Sequence, residues 1–189
     1  MISRISGKLS RALGHKLNAT IEEKEVYAYS IEVILSLILN LIILYEVAYM
    51  IGKIPELIIF IIFFSGLRTY AGGYHAKTHI ECMTLSFIIF IISSMSSTWF
   101  IAYGEIIMLV GLIASNILVF KYAPSESENK PLSNSQKKLH MLISRGIVVA
   151  YSVIILILYF NKVQTDYIYL TAVVAMLIES LSLNHLINS

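Results

Sequence analysis

Long apolar runs alternate along this chain with short polar interruptions. In the first segment Ile2, Ile5, Leu9, Leu13, Leu17 and Ile21 recur every three or four residues, while Arg4, Lys8, Arg11 and His15 fall on another face. That spacing predicts a basic amphipathic helix within residues 1–26, lying flat on an anionic membrane surface where each basic residue near lipid contributes about 1 kcal/mol. A basic helix docked on a protein partner is the alternative. Apolar blocks then cover about Ala28 to Ile51, Ile54 to Ala71, His79 to Phe100, Glu105 to Phe120, His140 to Phe160 and Tyr167 to Leu186. A hydrocarbon core about 30 Å thick takes around 20 helical residues to cross, so six crossings is the upper count, with the second block short enough to re-enter. The pattern predicts an all-α polytopic membrane helix bundle, one domain over residues 1–189, with loops at 68–80 and 121–139.

Composition sharpens this picture. Hydrophobic residues make up 57% of the 189 positions and charged residues 14%, with a mean hydropathy of +0.77. An ordinary soluble domain carries roughly 25% charged residues, so a soluble globule is excluded. A net charge of +2 is too small to suggest nucleic acid. The basic residues instead mark orientation. With the N-terminus in the cytoplasm, eleven Lys and Arg residues fall on that side, against Lys53 and Lys162 on the other. The positive-inside rule then puts both termini and the second and fourth loops in the cytoplasm. A cleavable signal peptide is not expected, since the N-terminus lacks a compact apolar run followed by small residues.

Candidate chemistry is concentrated in Arg68-Thr-Tyr-Ala-Gly-Gly-Tyr-His-Ala-Lys-Thr-His-Ile-Glu-Cys82, where a passive connection would need only a short turn. Gly72-Gly73 should break the helix and bend the chain, because glycine costs about 1 kcal/mol in a helix relative to alanine and readily takes positive φ. Thr78-His-Ile-Glu81 has capping-box spacing, so the third block should begin at Thr78 with Cys82 in its first turn. A thiol at the positive end of a helix dipole, with His75 on the preceding loop to take its proton, is a candidate nucleophile. The blander reading is a small packing residue. Zinc on His75, His79 and Cys82 is a further alternative, weakened by the lack of a nearby fourth ligand and by the bend between the histidines. No cofactor or metal is expected.

Within the blocks Glu32, Glu46, Asn40, Asn116, Arg145 and Glu179 are costly in lipid, so the charged ones should face the bundle interior or an interface. They admit a rival reading in which the chain is a transporter or channel with these side chains lining a pathway. Gly111, Ser115, Ser93, Ser94, Ser96 and Ser97 read as small residues that let helices approach closely.

Arg68, Gly73, His75-Ala-Lys and Cys82, followed two spans later by Lys121-Tyr-Ala-Pro and Pro131-Leu, resemble the accessory gene regulator B (AgrB) family. The similarity takes in the amphipathic N-terminus, the order of the apolar blocks and both loops. It implies a bacterial membrane cysteine endopeptidase that processes quorum-sensing propeptides, with its active site facing the cytoplasm. By that resemblance Cys82 is the nucleophile and His75 its general base, with Arg68 and Gly73 supporting the site beside the Gly72 of the bend. Glu32 is a conjectured orienting group for His75. The expected product is a thiolactone or lactone ring released from a thioester on the enzyme. Lys121, Lys130, Lys137 and Lys138 are candidate contacts for an acidic substrate tail, although orientation alone would also account for them. The expected partners are the propeptide, membrane lipids and a second copy in a homodimer.

Overall fold

A computed structural model describes residues 2–17, 19–74, 78–125, 133–161 and 166–184, and among these there are helices and no strand. The chain forms two compact units, Met1–Val47 and Ala48–Ser189.

The first unit holds α1 (Ile2–Lys16) and most of α2 (Ile21–Met50). On α1 the apolar series is open, with Ile5, Leu9, Leu13 and Leu17 exposed by 42%, 48%, 43% and 60%, as a face destined for lipid would be. The series does not continue to Ile21 in one helix, because Thr20 and Glu23 start a new one. The Thr20 amide donates to Glu23 Oε2 (2.7 Å) and the Glu23 amide donates to Thr20 Oγ1 (3.2 Å), a reciprocal cap that assigns Ile21 to α2. At 30 residues α2 is about 45 Å long, more than the hydrocarbon core requires, so its Glu22-Glu23-Lys24-Glu25 turn can remain in the polar layer.

In the second unit a turn at Gly52 (φ +68) leads into α3 (Ile54–Phe60). This helix runs on through a π-helical stretch, Ile61–Ser65, into α4 (Gly66–Ala71), so the short second block is one apolar rod of 18 residues. A π turn carries an extra residue and weakens the regular bonding ladder. Here Tyr151 supports it: its hydroxyl donates to the Ile62 carbonyl (2.8 Å) and occupies the space where Gly66 lacks a Cβ. The extra residue rotates α4 about the rod axis, and Leu67 and Ala71 lie in the core. Replacing Tyr151 by phenylalanine should therefore cost about 1 kcal/mol of stability. A lowered midpoint of thermal unfolding in detergent would register it; an unchanged midpoint would leave the π stretch without this support.

Among the described residues four further α-helices follow: α5 (His79–Trp99), α6 (Gly104–Tyr122), α7 (Asn134–Phe160) and α8 (Asp166–Ser182). Among the described residues five helices are long and apolar enough to cross a membrane, counting Ile54–Ala71 as one. Together with the composition they make the chain a polytopic helical membrane protein. The last block is different. At 17 residues α8 is only about 26 Å long, and it is packed against α3, α5, α6 and α7. Leu170, Val173, Ala175 and Met176 are fully buried, so α8 is the core of the bundle rather than one more lipid-facing span.

Close approach to α8 depends on small residues. Val173 packs where a Gly111 Cβ would lie, and the Tyr169 hydroxyl comes within 2.6 Å of the corresponding point at Gly104. Ser93, Ser94, Ser96, Ser97 and Ser115 are all buried, in keeping with a packing role.

Candidate active site

The site is built where α4 ends. The Gly72 amide donates to the Arg68 carbonyl (3.0 Å) and closes the helix, and the backbone then turns through Gly72 at φ +80 and Gly73 at φ +128. Both angles lie in the region that side chains resist. Each glycine also faces a different neighbour at close range. The Ser125 carbonyl fills the space a Gly72 Cβ would need, while a Cβ on Gly73 would sit 2.5 Å from Ser182 Oγ and 2.8 Å from Glu179 Oε1. The Ser125 amide donates to the Ala71 carbonyl (2.8 Å), so the chain leaving α6 through Tyr-Ala-Pro is docked onto the bend. The two loops that the sequence singles out are thus joined through backbone.

Arg68 holds the bend from within the bundle. Its Nη1 donates to Glu179 Oε2 (3.0 Å), its Nη2 donates to the Tyr74 carbonyl, and its guanidinium lies 5.7 Å from the centre of the Phe64 ring. Glu179, on the last turns of α8, is completely buried. Taking a carboxylate out of water is expensive unless it is paired, and Arg68 supplies the partner. The sequence marked Glu179 as costly in lipid but gave no sign of this pairing, since 111 positions separate the two residues.

Beyond the bend, Thr78 caps α5. Its Oγ1 accepts from the Glu81 amide (3.2 Å), and the Cys82 amide donates to the Thr78 carbonyl (3.1 Å). Cys82 accordingly sits in the first turn of a 21-residue helix, where four N–H groups point outward and the dipole favours negative charge. Its side chain is exposed. His75, bonded to Tyr74 in the chain, lies outside the described residues, as does Lys77. Glu32 belongs to α2 in the first unit.

A second feature lies at the same end of the bundle. Lys121, Tyr122, Ala123 and Pro124 from the end of α6, with Asn134, Lys137, Lys138 and Met141 from the start of α7, line a cleft of about 570 Å³. Three of the four lysines expected to contact a substrate tail are brought together here; Lys130 lies outside the described residues. The α7 end is set by Ser133, whose Oγ accepts from the Gln136 amide (3.3 Å) while Gln136 Oε1 accepts from the Ser133 amide (3.0 Å). Arg145 donates to the Phe120 carbonyl (2.8 Å) and stacks over the Phe120 ring at 5.2 Å. It completes the end of α6, which is a structural use for a charge that could otherwise have suggested a pathway.

The accessory gene regulator B family model matches residues 3–183, which is nearly the whole chain. The chain belongs to the accessory gene regulator B family. It is 29% identical over 171 residues to an AgrB-like protein of Clostridium perfringens (strain SM101 / Type A), covering 85% of this chain and 80% of that relative. An AgrB-like protein of Clostridium acetobutylicum is 32% identical over 134 residues, 69% of this chain and 64% of the relative. The accessory gene regulator protein B of Staphylococcus aureus (strain MW2) is 27% identical over 135 residues, 71% of each chain. No solved structure matches. Membership in the accessory gene regulator B family supports involvement in the quorum-sensing peptide processing of that system.

Proposed function

We propose that this accessory gene regulator B family member is a membrane-embedded cysteine endopeptidase that cuts the C-terminal tail from the precursor of a cyclic signalling peptide. The observation that carries this reading is an exposed Cys82 in the first turn of a capped helix, seven positions after His75 in the chain, with the Tyr74 carbonyl just before His75 held by Arg68. A thiol buried in lipid would be inert, whereas one at an open helix start can ionise and attack.

In the proposed reaction His75 takes the Cys82 proton and the thiolate adds to a propeptide carbonyl. Collapse of that adduct breaks the peptide bond. The tail leaves as an amine protonated by His75, and the remaining peptide stays on Cys82 as a thioester. A Cys or Ser side chain within the bound peptide then attacks the thioester, frees Cys82 and closes a thiolactone or lactone ring. Oxyanion stabilisation would come from backbone amides at the start of α5 or at the glycine bend, both of which are suited to it physically. The excess of Lys and Arg on one side of the spans supports a multi-pass protein of the bacterial cell membrane with this end of the bundle facing the cytoplasm.

Purified protein in lipid nanodiscs, incubated with candidate propeptides that carry an amphipathic leader and an acidic C-terminal tail and read by intact mass, tests the reading. A peptide product lighter than the free acid by one water, together with a transient enzyme adduct absent from Cys82→Ala, is the expected result. Tail removal by Cys82→Ala at the wild-type rate would overturn it.

The lysine cleft suits an acidic tail. Exposed ion pairs contribute about 0.2 to 1 kcal/mol each, so Lys137→Gln with Lys138→Gln should raise KM for the propeptide roughly 2- to 30-fold and leave kcat nearly unchanged. The effect should fade as salt is raised, because the charges are open to solvent. A KM unchanged at low salt would restrict these lysines to setting orientation.

A further inference from the structure

We propose that Glu179 is a positioning residue for the Gly73-Tyr74 backbone that leads into His75, acting through Arg68; this rests on the peptidase reading of Cys82 and His75. Three contacts form a chain of fixed groups. The Glu179 carboxylate, fully buried on α8, accepts from Arg68 Nη1 at 3.0 Å. The same guanidinium donates through Nη2 to the carbonyl of Tyr74, the residue bonded to His75. Gly73, just before it, lies so close over Glu179 Oε1 and Ser182 Oγ that a Cβ there would meet them at 2.8 Å and 2.5 Å. The backbone at Gly73 and Tyr74 is therefore seated against α8 directly, by packing at Gly73, and indirectly, through the Arg68 side chain that bonds both Glu179 and the Tyr74 carbonyl.

An ion pair with one partner fully buried and the other partly exposed is a poor way to gain stability, since apolar residues of similar volume often serve as well or better. What the pair supplies here is direction. A planar guanidinium held at one edge by a carboxylate presents its other N–H in a fixed orientation, and that N–H is the one that bonds the loop. Because α8 is the most buried helix of the bundle, the anchor is referred to the core and not to a mobile surface. Arg68 thus transmits the position of Glu179 to the residue next to the proposed general base. A shift of the order of 1 Å in such a group can cost roughly 100-fold in rate.

The test compares wild type, Glu179→Gln, Arg68→Lys, His75→Ala and Cys82→Ala as full-length proteins in nanodiscs, each checked for monodispersity and thermal unfolding. Two readouts are taken: backbone amide exchange over residues 72 to 80, and kcat and KM for propeptide cleavage. Glutamine keeps the shape of Glu179 without its charge. Lysine keeps the charge of Arg68 but lacks the planar fork that bonds two acceptors at once in fixed geometry, so it serves if Glu179→Gln does not fold. The expected result for either variant is exchange in the 72 to 80 segment at least tenfold faster than wild type. The rest of α4 and α5 should stay unchanged, with kcat lowered roughly 10- to 100-fold and KM within twofold. Unchanged exchange in that segment would overturn the anchoring. Faster exchange with wild-type kcat, alongside an inactive His75→Ala, would overturn its role in catalysis. If Cys82→Ala and His75→Ala both cleave like wild type, the peptidase reading fails and the role in catalysis falls with it, while accelerated exchange in Glu179→Gln would still support the anchor.

Discussion

Cys82→Ala is expected to reduce propeptide cleavage by roughly 10⁴-fold or more, and His75→Ala by a similar factor, because a nucleophile and its base act as one unit and loss of either disables both. The double variant should then be no worse than either single one. Quantitative mass spectrometry of tail release, with enzyme in excess over propeptide, measures all three on one scale. Multiplicative losses in the double variant would mean that the two side chains act independently. A Cys82→Ala rate within tenfold of wild type would remove the thiol from the chemistry altogether, and would revive the transporter reading in which the intramembrane charges matter more than the thiol. Cys82→Ser is a useful companion, since a hydroxyl fits the same space at the start of α5 but is a far weaker nucleophile when paired with a base suited to a thiol.

Gly72→Ala should destabilise the protein by about 3 kcal/mol, combining the strain of a side chain at φ +80 with its overlap on the Ser125 carbonyl. The contrast that isolates the cause is Gly146→Ala on α7. There no atom lies within 4 Å of the added Cβ, the position is exposed and the backbone is helical. That substitution should stabilise by up to about 1 kcal/mol, from helix propensity alone. Thermal unfolding in one detergent would compare the two directly. Equal midpoints would show that the bend tolerates a side chain and that the contact between the two loops is not fixed by glycine. The expected loss at Gly72 should also appear as faster exchange of the Ser125 amide, which is bonded to the Ala71 carbonyl.

Much of this protein is legible from local pattern because a bilayer is an unforgiving solvent. Every backbone polar group must be satisfied within its own segment, so apolar runs of sufficient length become helices wherever they occur. The helix ends are equally local: Thr78 caps α5 from three residues before Glu81, and the glycine bend ends α4 where the sequence shows two glycines together. The Thr20-Glu23 box is just as local, and reading the apolar series straight through to Ile21 overlooks it.

The tertiary structure decided what the repeating apolar pattern cannot encode. An apolar helix facing lipid and one surrounded by protein have nearly the same composition, so nothing in Tyr167 to Leu186 marked α8 as the centre of the bundle. The partner of Arg68 had to come from there, because in a bundle the charges that must pair are brought together by helix order and not by chain proximity. The same holds for Ser125 on the Gly72 bend and for Tyr151 on the π-helical turns, each supplied by an element more than fifty positions away in the chain. Sequence by itself determined which segments are helices and which residues are chemically unusual. Only the packing of those helices determined which unusual residues meet, since that depends on non-local contacts whose energies no single segment contains.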